Sequence, residues 1–246
     1  MMLSFIIPCY NEEKRLQKNL PRILAFLKDN VQISKELIIV DDGSEDQTSK
    51  MASELLQGSQ IQWLIHRLPK NQGKGAAVKK GVELAKGDFI LFFDIDISTS
   101  LENIHDVIDL MHKNKSPIII GNRILSESKI TNTQNILRRF AGNIYRRMGT
   151  FLLGLHVSDV GCGFKCFRAD IAKKLFPLLT ISRWSFDAEL LLLAERKKIP
   201  IQEIPVLWKN DPDSRLRLWK DGPKSIFELL QIRYRFLKKN FGEEKK

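Results

Sequence analysis

Phe89-Ile-Leu-Phe-Phe-Asp-Ile-Asp-Ile-Ser-Thr99 launches two carboxylates, Asp94 and Asp96, off the end of an apolar run. The run has strand length and no polar member, the pattern of a strand buried on both faces, which normally belongs to a parallel sheet. Open α/β sheets collect their ligands at the carboxyl ends of strands. Two carboxylates at spacing i, i+2 offer hard oxygen ligands for Mg²⁺ or Mn²⁺, and an ion held this way also takes substrate phosphates. A nucleotide diphosphate is the first ligand to expect. The competing reading, a solvated acidic loop after a strand, is decided by the rest of the chain.

Short apolar runs of strand length recur on both sides of this stretch, at Leu3 to Ile7, Glu36 to Val40, Ile61 to His66 and Ile118 to Gly121. Helical patterns separate them near 12–28, 46–57, 75–85 and 101–114. This alternation predicts an α/β fold with a mostly parallel central sheet and helices on both faces. Polar loops then share one sheet edge: Pro8-Cys-Tyr-Asn-Glu12, Asp41-Asp-Gly-Ser44 and Asp94 to Ser98. The second half is less regular, with a helix expected around 135–153, a strand at Gly163 to Phe167, a helix from Phe186 to Lys197 and a strand at Ile201 to Val206. No linker interrupts the chain, so one domain is expected over 1–246. Residues 1–121 would be the nucleotide-binding half, 122–210 the acceptor side and 211–246 a basic amphipathic helix.

The 246 residues carry a net charge of +11, which calls for a polyanionic partner: nucleic acid, anionic membrane or a phosphorylated substrate. Between Asn122 and Gly149, Arg123, Lys129, Arg138, Arg139, Arg146 and Arg147 face one acid, Glu127. Toward the end, Ile226, Phe227, Leu230, Tyr234 and Leu237 recur at helical spacing among Lys224, Arg233, Arg235, Lys238 and Lys239. That helix either lies on a membrane or packs its apolar stripe on the domain. A nucleic-acid partner is not expected, because the basic segments lack interleaved aromatics and a binding motif. No apolar run approaches the roughly 18 residues of a membrane span, and no signal-peptide core is recognisable, so a cytosolic location is expected. Cys9, Cys162 and Cys166 form no CxxC pair, and neither a disulfide framework nor a zinc site is indicated.

Asp41-Asp42-Gly43-Ser44 presents carboxylates to a base or ribose, or caps the next helix. Asn71-Gln-Gly-Lys-Gly-Ala-Ala77 opens a helix with two glycines and Lys74, a layout in which backbone amides and a cation meet a diphosphate. It is neither a Walker loop nor GxGxxG. Trp184 and Trp208 are expected in the core, with stacking on a sugar as the alternative. Cys162 and Cys166 are read as structural.

Together, Ile6-Ile-Pro-Cys-Tyr-Asn-Glu12, Val40-Asp-Asp-Gly-Ser44, Asn71-x-Gly-Lys-Gly75, Asp94-x-Asp96, Gly121-x-Arg123, Asp159-x-x-Cys-Gly-Phe-Lys165 and Arg183-Trp-x-Phe-Asp-x-Glu189 resemble the family 2 glycosyltransferases of GT-A fold. Within that family they look most like the dolichyl- or polyprenyl-phosphate sugar transferases, more the glucosyl than the mannosyl branch. The resemblance implies a nucleotide pocket at Pro8, Tyr10, Asn11, Glu12, Asp41, Asp42 and Ser44, a donor-side Lys74, and a metal and sugar-diphosphate site at Asp94 and Asp96. It implies an acceptor phosphate held by Arg123 and Arg138, with Arg139 beside them. Gly142 and Arg146 depart from the serine and asparagine common among relatives.

The expected reaction inverts the anomeric carbon, moving a hexose, glucose from UDP-glucose in the first instance, onto a dolichyl or polyprenyl phosphate at a cytosolic membrane face. Mg²⁺ or Mn²⁺ at Asp94 and Asp96 would offset the charge of the departing nucleotide. A hydroxyl acceptor would need a general base, Asp187 or Asp159. A phosphate acceptor, already dianionic at neutral pH, would need arginines to position it instead. Mannosyl transfer from GDP-mannose and a hydroxyl acceptor are the near alternatives. A haloacid dehalogenase-type phosphatase, with Asp94 as nucleophile, is the distant one.

Overall fold

The computed structural model describes residues 1–113, 116–131, 136–210 and 218–238, and leaves out the side chains of 136–141 and 218–221. Its centre is a seven-stranded sheet in the order β3-β2-β1-β4-β7-β5-β8. The strands are β1 (Met2–Cys9), β2 (Ser34–Asp41), β3 (Gln62–Arg67), β4 (Phe89–Phe92), β5 (Ile118–Asn122), β7 (Lys165–Arg168) and β8 (Ile201–Pro205). All pairings are parallel except those of β7, which runs antiparallel to both β4 and β5. Two short strands, β6 (Lys129–Thr131) and β9 (Leu207–Lys209), pair beside it.

β4 is buried throughout, as its unbroken apolar run requires. Strand alternation divides the core between the two faces. Leu3, Phe5, Ile7, Leu37, Ile39 and Leu91 pack with α1 (Glu13–Asn30), α2 (Thr48–Leu56) and α4 (Asn103–His112). Ile6, Ile38, Val40, Ile90, Phe92 and Ile120 pack with α3 (Lys74–Leu84), α6 (Ala169–Leu175), α7 (Phe186–Arg196) and α8 (Leu218–Lys238), and with the end of α5 (Ile136–Leu153). Phe92 stacks on Phe167 at 6.2 Å and meets Phe176 edge-on, an aromatic floor whose rings each add roughly 2 kcal/mol by burial.

The expected elements are present with shifted ends, and three details differ. The second-half strand begins at Lys165, because the Asp159–Gly163 approach is a tight loop. α6 and the β6/β9 pair are short and carry no periodic pattern to read. The last helix is described over Leu218–Lys238, within the 211–246 expected for it; residues 211–217 and 239–246 of the tail lie outside the described residues. Pro223 lies inside the helix, past its first turn, and removes one intrahelical hydrogen bond there.

Strand order reverses between β1 and β4, and ligands of such sheets bind outside the strand ends at that switch point. The loops leaving β1, β2, β4 and β5 all open on this edge. Because β7 is antiparallel, the loop entering it opens there too, which carries Asp159 to Gly163 from the second half to the loop bearing Asp94 and Asp96.

Candidate active site

The nucleotide-side residues form a connected scaffold. Asp41 is buried, accepts the Ser44 amide at 2.8 Å and the Ser49 hydroxyl, and lies 3.6 Å from Arg67 Nε. Ser44 Oγ accepts the Asn11 amide at 2.8 Å, and Asn11, at a φ of 52°, turns its Oδ1 back onto the Glu45 amide. Glu12 is buried against Arg15, its amide bonded to Thr48. Pro8 and Tyr10 are half-buried on the same rim. Asp42 takes three donors from the next loop: Asn71 Nδ2 at 3.0 Å and the amides of Gln72 at 2.7 Å and Gly73 at 2.8 Å. Burial still raises its carboxyl above the ordinary range against those donors. Gly73 adopts a φ of +108°, and a Cβ there would lie 2.5 Å from the Ser182 carbonyl, so this turn needs glycine.

That turn delivers Lys74 to the carboxylates. Lys74 Nζ is 2.6 Å from Asp94 Oδ1 and 5.8 Å from the Trp184 ring. Burial opposes its charge, but Asp94, Asp187 and Asp96 outweigh burial and hold the proton more firmly than on an ordinary lysine. Asp96 accepts the Ser98 amide at 2.9 Å. Its carboxyl is raised, first by burial and then by the charge of Asp94. The turn between the pair and Ser98 places Ile97 at a φ of 52°, costly for a β-branched residue. Two hard oxygen donors at the end of β4 fit a divalent cation. Among the described residues no third His, Cys, Asp or Glu joins them, so water and a donor diphosphate would complete the coordination. Gly163 closes the opposite side: a Cβ there would sit 2.2 Å from Asp94 Oδ2.

On the acceptor side, Arg123 is locked rather than free. Its Nε and Nη2 make a two-pronged pair with Asp159 at 2.7 and 2.8 Å, the Arg123 amide adds a third bond at 3.0 Å, and the Trp208 ring lies 5.6 Å away. Burial disfavours the Asp159 carboxylate, but Arg123 overrides it and holds the carboxyl at about 2. Arg146 lies near enough to act on both charges. Arg138 and Arg139 lie on α5, and their side chains are outside the described residues.

Asp187 sits in the first turn of α7, buried, with Oδ1 2.8 Å from Lys165 Nζ. Oδ1 nevertheless accepts no well-directed hydrogen bond among the described residues. Burial raises this carboxyl, and Lys165 and Lys74 pull against the rise. Lys165 closes the Asp159-x-x-Cys-Gly-Phe-Lys165 motif, but the sequence reading gave it no role. It is fully buried and also donates to the carbonyls of Val160 and Cys162, joining Asp187 to the loop that bears Asp159 and Gly163. A lysine inside a strand with both faces covered was the available signal. Glu189 is structural, accepting the amides of Thr180 at 2.9 Å and Ile181 at 2.8 Å. The tryptophans depart from the core expectation: Trp184 is 39% exposed beside Lys74, and Trp208 stacks on Arg123. Cys162 and Cys166 are buried and free, as read.

The family model described as Glycosyl transferase family 2 matches residues 4–176, which hold the Asp94–Asp96 pair, Lys74 and Arg123. The chain belongs to this family. It is a glycosyltransferase. The transferase is 35% identical over 246 residues to a dolichyl-phosphate beta-glucosyltransferase of Dictyostelium discoideum, covering 96% of this chain and 75% of that protein. It is 35% identical to the Homo sapiens protein of the same name, covering 96% and 76%. Among solved structures it resembles glucosyl-3-phosphoglycerate synthase from Mycobacterium tuberculosis in complex with Mn²⁺, UDP and phosphoglyceric acid, with a TM-score of 0.64 at 17% identity over 94% of this chain and 78% of that one. S. aureus TarS in complex with UDP-GlcNAc gives a TM-score of 0.62 at 17% identity, covering 98% and 68%. These likenesses establish the GT-A fold of the transferase.

Proposed function

We propose that this transferase moves glucose from UDP-glucose onto a dolichyl or polyprenyl phosphate, with inversion, at the cytosolic face of a membrane. The observation that carries this reading is the pairing of Arg123 with Asp159. A carboxyl held at about 2 takes up no proton at neutral pH, so Asp159 orients an arginine instead of activating a hydroxyl. A preset guanidinium with Arg146 nearby suits an acceptor whose oxygen is already anionic. The names of the relatives point the same way.

Asp94 and Asp96 are the residues that would hold Mg²⁺ or Mn²⁺, which when bound offsets the charge of the departing diphosphate. Lys74 binds the same diphosphate, and Asp42 fixes the loop that carries Lys74. Trp184 and Gly163 bound the sugar. One observation favours a second reading, a hydroxyl acceptor with Asp187 as base: its buried Oδ1 lacks a directed donor and burial raises its proton affinity. Asp187→Asn separates the two, because a base-dependent transfer falls by roughly a hundredfold or more, whereas transfer to a phosphate largely survives.

The test of the donor is thermal stabilisation by UDP, UDP-glucose, GDP and GDP-mannose, each with and without Mn²⁺. A Mn²⁺-dependent rise with the uridine pair is expected. A rise with the guanosine pair alone would replace glucose by mannose, and no rise with any would overturn the donor site.

Contact with an anionic bilayer is assigned to α8, which has two apolar faces. Leu229 and Ile232 are fully buried in the core, where α8 packs on α5 and α7. Phe227, Leu230, Tyr234 and Leu237 lie roughly half a turn away, exposed, with Arg233 on one flank and Lys224 and Lys238 on the other. Phe151 of the neighbouring α5 is 86% exposed. Among the described residues no helix is long and apolar enough to cross a membrane.

A further inference from the structure

Lys74 lies where stability alone would not put a lysine. It is the first residue of α3, at the positive end of the helix dipole, and its side chain is only 13% exposed. Three carboxylates offset that cost: Asp94 at 2.6 Å, with Asp96 and Asp187 near enough to act on its charge. The oxygen it holds belongs to one of the two residues assigned to the metal. An ammonium and a divalent ion on one carboxylate repel each other strongly in a partly buried site. The ammonium also has another favourable neighbour, the face of the Trp184 ring at 5.8 Å.

We propose that Lys74 is a resident counter-ion for Asp94, which a divalent cation must displace, and that the donor diphosphate makes the exchange favourable by accepting the displaced ammonium. Without nucleotide, the lysine then weakens metal binding. With nucleotide it strengthens it, because the diphosphate gives both cations an anionic partner. Coupling of this kind is reciprocal, so the metal tightens nucleotide binding by the same factor. The inference rests on the assignment of the metal to Asp94 and Asp96, and extends it to the order in which the site fills.

Mn²⁺ affinity measured from the electron paramagnetic resonance signal of the free ion tests this without any turnover. Lys74→Met is expected to bind Mn²⁺ in the absence of nucleotide about tenfold more tightly than wild type, within the range usual for coupled sites. The further tightening produced by UDP is expected to shrink in the variant. Lys74→Gln carries the same expectation, should the methionine variant fail to fold. Equal or weaker Mn²⁺ binding by the nucleotide-free variants would overturn the proposal. So would a UDP effect as large as in wild type, since it would arise from chelation by the nucleotide alone. Failure of wild type to bind Mn²⁺ even with UDP, or unchanged binding in Asp96→Asn, would instead remove the metal site itself and the inference with it.

Discussion

Asp159 shows how a residue's type can be legible while its task is not. An acid three residues before Cys162 is a reasonable candidate base from sequence; its commitment to Arg123 depends on a loop meeting the end of β5, 36 positions away. The pairing has a pH signature. The folded carboxyl at about 2 lies below the ordinary 3.8, so its contribution, about 2 kcal/mol, is complete above roughly pH 5 and is lost as pH falls toward 2. Asp159→Asn is expected to cost about 3 kcal/mol at pH 7, because it leaves a buried guanidinium unpaired. The gap between wild type and variant should narrow by about 1 kcal/mol at pH 3, read from urea unfolding at the two pH values. Gly163 gives a kinetic counterpart. Gly163→Ala pushes a methyl into Asp94 Oδ2, and kcat/KM is expected to fall about a hundredfold while the melting temperature barely moves. The Asp94–Asp96 pair was legible because a carboxylate pair ends an apolar strand. The role of Lys165 was not legible, because a single buried lysine has no spacing to betray its partners.

At the scale of elements, apolar periodicity located every long helix and all seven strands of the main sheet to within a few residues. It missed α6, β6 and β9, whose three to seven residues are too short for a period to register and which the surrounding packing holds in place. α8 is instructive because it packs on the domain by one apolar face and leaves another exposed. The recurrence that stands out in the sequence, Phe227 to Leu237, is the exposed stripe, whereas the packed stripe, Leu229 and Ile232, is interleaved with it. Substitution therefore separates two properties of one helix. Leu229→Ala is expected to cost about 3 kcal/mol of stability by leaving a cavity. The double change Phe227→Ser with Leu230→Ser should leave the melting temperature almost unchanged, and should weaken binding to vesicles of anionic phospholipid by at least tenfold in a sedimentation assay. Equal vesicle binding by that variant would remove α8 as the contact, and a shift from dimer to monomer in its sedimentation velocity would make the stripe an interface between copies.

For the molecule as a whole, strand order was beyond the sequence. Alternating strands and helices predict a parallel sheet, but nothing local to Lys165–Arg168 says that this strand lies between β4 and β5 with its direction reversed. That insertion has a consequence for how the protein is made. During synthesis β4 and β5 leave the ribosome long before β7, and until β7 arrives each has an apolar flank with unpaired amides and carbonyls. The first 122 residues are therefore expected to be an incomplete sheet. As an isolated fragment they should unfold without a cooperative transition when heated and monitored by circular dichroism, where the full chain melts sharply. Conversely, nascent chains arrested before residue 165 should be captured by chaperones that hold exposed strand edges, and should release once that short segment has emerged.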